Sequence, residues 1–137
     1  MKKAIVLILF VLAALLLMTA PALASPQEPF LLYKVFPSPT HPTDNACDII
    51  DCSVPQFVGA TIFYFDRTTV HDTKEIARVE IRTQADEMLA WGQVRWLGTY
   101  GLFTFKGTGS LSGFHAEGRV DYDDQQDVFI LTGTCHW

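Results

Sequence analysis

The sequence predicts an all-β domain closed into a single antiparallel β-barrel, with a β-sandwich as the alternative packing. Three observations carry that prediction. Two long stretches alternate apolar and charged residues at period two, as a half-buried strand requires. The links between apolar runs are short, which suits antiparallel neighbours. All nine glycines stand at or after Gly59, where strands that bend at barrel corners use them, and closure removes exposed strand edges.

The first element is not part of that body. Lys2 and Lys3 precede an unbroken apolar run, Ala4 to Met18, and then Ala22-Leu23-Ala24, an A-x-A cleavage pattern before Ser25. The run falls short of the roughly 20 residues that span hydrocarbon. Residues 1–24 therefore read as a cleaved secretory signal peptide. The mature chain reads as secreted or periplasmic, with no stable membrane insertion after cleavage.

Residues 25–55 hold six of the seven prolines. Proline fixes φ and lacks an N–H, so this stretch is a poor helix and a poor central strand. It reads as a Pro-rich leader, extended or looped. Its one sustained apolar run, Phe30 to Phe36, reads as an edge strand or as a strap across the body.

Residues 56–137 read as the barrel domain. Phe57 to Phe65 is aromatic and β-branched on both alternating faces, the pattern of a fully buried strand. Ala77, Val79, Ile81 and Thr83 then alternate with Arg78, Glu80 and Arg82. Gln84 to Glu87 reads as a helical turn or a loop, with a strand after it carrying Trp91, Val94 and Trp96. Leu102 to Lys106 is a further strand. Phe114, Ala116, Gly118, Val120 and Tyr122 share one face; His115, Glu117, Arg119 and Asp121 share the other. Asp123 to Gln126 is a polar turn, and Val128 to Thr134 completes a hairpin.

The segment Phe105 to Val120 carries Gly107-Thr108-Gly109, then Leu111, Gly113 and Gly118. It resembles the corresponding segment of the allene oxide cyclase and dirigent-like barrels, where a Gly-Thr-Gly turn leads into a strand ending in a further glycine. The resemblance covers at most residues 57–137. It implies a calycin-like antiparallel barrel with an apolar cavity. In that family the plant cyclases isomerise an epoxide-bearing fatty acid, and the dirigent proteins orient phenolic radicals. No catalytic residue of either group maps onto a position here, so the resemblance implies the fold and not an activity.

Composition narrows the partners. Beyond residue 24 the chain carries 8 Lys and Arg against 15 Asp and Glu, a net charge of −7. That balance argues against a nucleic-acid backbone as partner, because phosphate neutralisation needs clustered cations. Cys47, Cys52 and Cys135 make an odd count. In an exported chain one pair is expected. A long-range bridge from Cys135 to Cys47 or to Cys52 is preferred over the local Cys47–Cys52 loop. No C-x-x-C knuckle points to a metal, and no sequence feature asks for a cofactor.

Candidate chemistry is sparse. His115, Glu117 and Arg119 point one way from one strand, and Arg78, Glu80 and Arg82 point one way from another. These six are the candidate ligand-binding residues if their faces line a cavity; on an outer face they form a solvated ionic surface. Gly-x-Ser-x-Gly, Walker, His-Glu-x-x-His and dinucleotide motifs are absent from the sequence, and no catalytic set can be named. The functional expectation is therefore an exported, non-enzymatic barrel that binds a small apolar ligand or a protein partner. An isomerase or cyclase acting in an apolar cavity and a structural surface protein are the alternatives.

Overall fold

The computed structural model describes residues 24–71 and 73–137. The signal peptide expected over residues 1–24 lies outside them, apart from Ala24. Eight strands, β1 (Glu28–Val35), β2 (Ala46–Cys52), β3 (Thr61–Val70), β4 (Lys74–Arg82), β5 (Met88–Trp96), β6 (Gly101–Gly107), β7 (His115–Asp123) and β8 (Val128–His136), form a closed barrel. Each strand pairs antiparallel with the next, and β8 returns to β1, with Phe30 opposite Gly133 and Lys34 opposite Phe129. Closure excludes the sandwich.

Two features differ from the sequence reading. The boundary drawn at residue 56 falls between β2 and β3, inside the barrel, and the run from Phe30 is neither an edge nor a strap. Pro29 is tolerated because it stands at the second position of β1, where a missing N–H costs little. The run Phe57 to Phe65 is not one strand. Pro55–Phe57 is a 3₁₀ turn, and β3 begins only at Thr61. A continuous apolar run does not by itself distinguish a strand from a buried turn.

Period two then sorts the side chains. Ala77, Val79 and Ile81 of β4 point inward and are buried, while Arg78, Glu80 and Arg82 point outward. The inward row of β1 is Phe30, Leu32 and Lys34, all buried. On β7 and β8, Gly118 and Gly133 are cross-strand partners. A Cβ on Gly118 would lie 2.1 Å from the Thr132 carbonyl oxygen, and one on Gly133 would lie 1.9 Å from that of Glu117. The pair lets the two backbones approach and bend where any side chain would force them apart.

The interior is divided along its length. At the end where β1 begins, the β2–β3 and β6–β7 links fold inward through short 3₁₀ turns and deliver Phe57, Leu111 and Phe114, each almost wholly buried. Phe114 packs against Phe57 at 5.4 Å between ring centroids and against Phe30 at 6.1 Å. Phe30 also meets Phe103 at 5.5 Å, and Phe103 meets Phe105 at 4.9 Å. Tilted and edge-on aromatic contacts of this kind fill a small core densely. That end is closed.

Candidate ligand-binding site

The other end opens into a cavity of about 250 Å³. Its walls are the last inward residues of several strands: Val94 and Trp96 of β5, Val120 of β7 and Phe129 of β8. The β1–β2 connection adds Phe36. Trp96 meets Phe129 edge-on at 6.2 Å, and its indole Nε1 donates to the Gly98 carbonyl at 2.8 Å. The apolar wall is thus held in a fixed orientation.

Into this wall projects a single lysine amine. Lys34 continues the inward row of β1 and is only 3% exposed. Its Nζ donates to the Tyr64 hydroxyl, and it lies 4.8 Å from the Tyr64 ring centroid and 5.3 Å from that of Phe129. Cys47 Sγ approaches the same hydroxyl at 3.9 Å. Burial drives the Lys34 pKa down, against a smaller opposing effect of Cys47. Burial, reinforced by Cys47, holds the Tyr64 phenol protonated well beyond the ordinary tyrosine range. Tyr64 is half-buried and lines the cavity.

The rim is charged and internally paired. Arg67 Nε meets Glu75 Oε1 at 2.8 Å, and its Nη1 donates to the Asp44 carbonyl at 2.9 Å. Glu75 is therefore engaged by an arginine at the surface, and Lys34 below is held by a phenol and aromatic faces.

The connection bearing Phe36 and Asp44 is fastened to the outside of β2 by Asp48. Ser38 Oγ donates to its carboxylate at 2.5 Å, Thr61 Oγ1 at 2.9 Å, and the Thr40 hydroxyl and backbone N–H at 2.9 and 3.0 Å. Burial opposes the charge on Asp48, but these donors together outweigh it and hold the carboxyl below its usual range.

The six residues singled out from the sequence lie elsewhere. Arg78, Glu80 and Arg82 form an ionic ladder on the outside of β4: Arg78 bridges Asp66 and Glu80, and Arg82 bridges Glu80 and Asp86. His115, Glu117 and Arg119 stand on the outside of β7. Arg119 pairs with Asp121 at 2.8 Å and lies 4.1 Å from the Tyr100 ring. Glu117 and Arg119 border an open surface groove with Arg95 and Thr104. The barrel wall separates both triads from the cavity, and two strands separate them from each other.

Lys34 and Tyr64 are not among the sequence candidates, and Cys47 is named from the sequence only as a possible disulfide partner. A signal for Lys34 is nevertheless present: period two from Phe30 and Leu32 puts position 34 on the inner face. Tyr64 follows Ile62 by the same rule.

The three cysteines are buried free thiols in this structure. Cys47 lines the open end. Cys52 and Cys135 belong to the closed end, where burial, then Asp51 and Cys135, push the Cys52 thiol up to about 11. Burial, with Glu28, likewise raises Cys135. Comparison of the chain with protein-family models, with curated proteins and with solved structures finds no match.

Proposed function

We propose that this barrel is an exported binding module for a small amphipathic molecule, taken into the open end. The observation that carries the reading is one buried amine, Lys34, hydrogen-bonded to Tyr64 in a cavity of about 250 Å³ whose walls are apolar and whose rim is charged. Ligand sites are typically apolar clefts with a few placed polar groups. Burying a lysine without a carboxylate partner is costly to folding, and a residue retained at that cost is a candidate for function. The cavity lies just below the usual range of roughly 300–1,000 Å³, so the ligand is small. The glycine-segment resemblance to barrels with apolar cavities agrees with this reading, as does the secretory signal expected in residues 1–24. Cys52 and Cys135 are the cysteines we expect to join in an oxidising compartment, because both lie at the closed end while Cys47 lies at the other.

Titration of the mature chain with a series of short alcohols and alkyl phenols, followed by two-dimensional amide NMR, tests the binding reading. Saturable shifts confined to Val94, Trp96, Val120 and Phe129 are expected. Shifts spread over the outer ionic surfaces, or none at all, would overturn it.

A further inference from the structure

We propose that Lys34 is a carbonyl-capturing amine, which forms a reversible imine with a small aldehyde or ketone held in the cavity. The proposal rests on the binding reading and goes beyond it by naming the chemistry of the ligand.

Three features of the site converge. Lys34 Nζ is enclosed by the aromatic faces of Tyr64 and Phe129, and the lowered basicity that burial produces leaves more of it as the neutral nucleophile. Val94, Trp96, Val120 and Phe129 share the cavity lining with Lys34, so a carbonyl compound entering carbonyl-first brings its carbon to the amine. Tyr64, touching Nζ, keeps its proton through the neutral range, and a positioned phenol can give and retake a proton. The other ionisable groups facing this space are Cys47 on β2, Arg67 on β3, Glu75 on β4 and Asp44 on the β1–β2 connection. Arg67 and Glu75 neutralise one another at the rim.

The step balances without a further reactant. The Nζ lone pair forms the N–C bond, and the carbonyl π pair moves to oxygen, which takes a proton from Tyr64. Nitrogen gives up a proton, which restores the phenol. The carbinolamine hydroxyl then takes a proton from Tyr64 and leaves as water while the nitrogen lone pair closes the C=N bond, and the iminium nitrogen returns its remaining proton to the phenolate. One carbonyl compound and one amine become one imine and one water; nothing is oxidised or reduced. Hydrolysis reverses the sequence and releases the ligand.

Beyond residue 24 the chain holds only two other lysines, Lys74 and Lys106, and both are exposed. They serve as internal controls. The mature chain is incubated at neutral pH with hexanal or benzaldehyde, trapped with cyanoborohydride, and mapped by peptide mass spectrometry. Trapping at Lys34 is expected at least tenfold faster than at Lys74 or Lys106. Tyr64→Phe is expected to slow trapping at Lys34 by tenfold or more. Lys34→Arg removes the adduct and leaves the folded amide spectrum. Equal labelling of the three lysines overturns the proposal using the unaltered protein alone. If hexanol and benzyl alcohol bind in the cavity and no imine is trapped at Lys34, the imine is wrong and the binding reading stands. If neither alcohol nor aldehyde enters the cavity, both fall.

Discussion

The two ends of the barrel are built from the same strands and do opposite things. At the closed end, links between strands turn inward and fill the space with Phe57, Leu111 and Phe114 against Phe30, Phe103 and Phe105. At the open end the links stay on the rim, and the inward row ends on Lys34, Tyr64 and Trp96 around a cavity. Dense aromatic packing contributes stability; an enclosed amine beside a void subtracts from it. A small barrel that stiffens one end can carry that cost at the other.

The contrast predicts an ordered set of effects. The largest is Phe30→Ala, which removes a ring packed against three others and is expected to cost about 3–5 kcal/mol by urea unfolding. Tyr64→Phe at the open end is expected to cost less, about 1–3 kcal/mol, because it leaves the buried Lys34 amine without its hydrogen-bond acceptor. Equal costs would remove the distinction between the ends.

Oxidation should act on the closed end next. A Cys52–Cys135 bridge is expected to add about 2–4 kcal/mol and to leave one reactive thiol, Cys47, by alkylation and mass spectrometry. Two or more alkylated thiols after full oxidation, or a protected Cys47, would reject that pairing.

Asp48→Asn removes the charge that gathers the Ser38, Thr40 and Thr61 donors and should cost about 1–3 kcal/mol. Its folded pKa lies below the unfolded value, so its stabilisation is present above about pH 3.9 and is lost as pH falls through the folded pKa. The variant should therefore show a flatter acid limb. Hydrogen exchange should quicken in residues 36–45 and not at the closed end.

Lys34→Met should be neutral or mildly stabilising at pH 7, since it replaces a buried amine by an apolar side chain of similar length. With a folded pKa below the unfolded value, Lys34 makes the native chain gain stability as pH rises from that folded value toward the normal lysine range. Tyr64, with a raised pKa, reverses the trend above about pH 10, where the unfolded phenol ionises first. The variant should lose the rise below pH 10 and keep the fall above it. The smallest effect is Arg67→Ala: side chains 43% and 35% exposed make an ion pair worth about 0.2–1 kcal/mol.

Much of the barrel is legible in the chain's own pattern. The alternation at Ala77 to Arg82 and at Phe114 to Asp121 assigns faces that the fold reproduces, and the polar turn after Tyr122 marks the last hairpin. The first two strands are harder, because proline at 29, 37, 39 and 42 makes their surroundings look like a leader. Period two cannot say which side of a strand is the inside when flanking signals are weak. A lysine at the end of such a row reads as solvent-facing on composition alone. The charged triads, on strands with cleaner patterns, therefore stand out in the sequence where Lys34 does not. Those triads belong to the outside.

The order of residues alone specifies a β body with short links, a polar–apolar alternation strong enough to fix strand faces, and glycines where backbones must come close. These are local properties, set by side-chain period and backbone sterics. Folding adds the closure of the barrel through β1 and β8, the plugging of one end by its own connections, and the meeting of Lys34, Cys47 and Tyr64 at the other. Those three stand on different strands, and which residues share a cavity depends on register and closure, which arise from pairing across the whole chain.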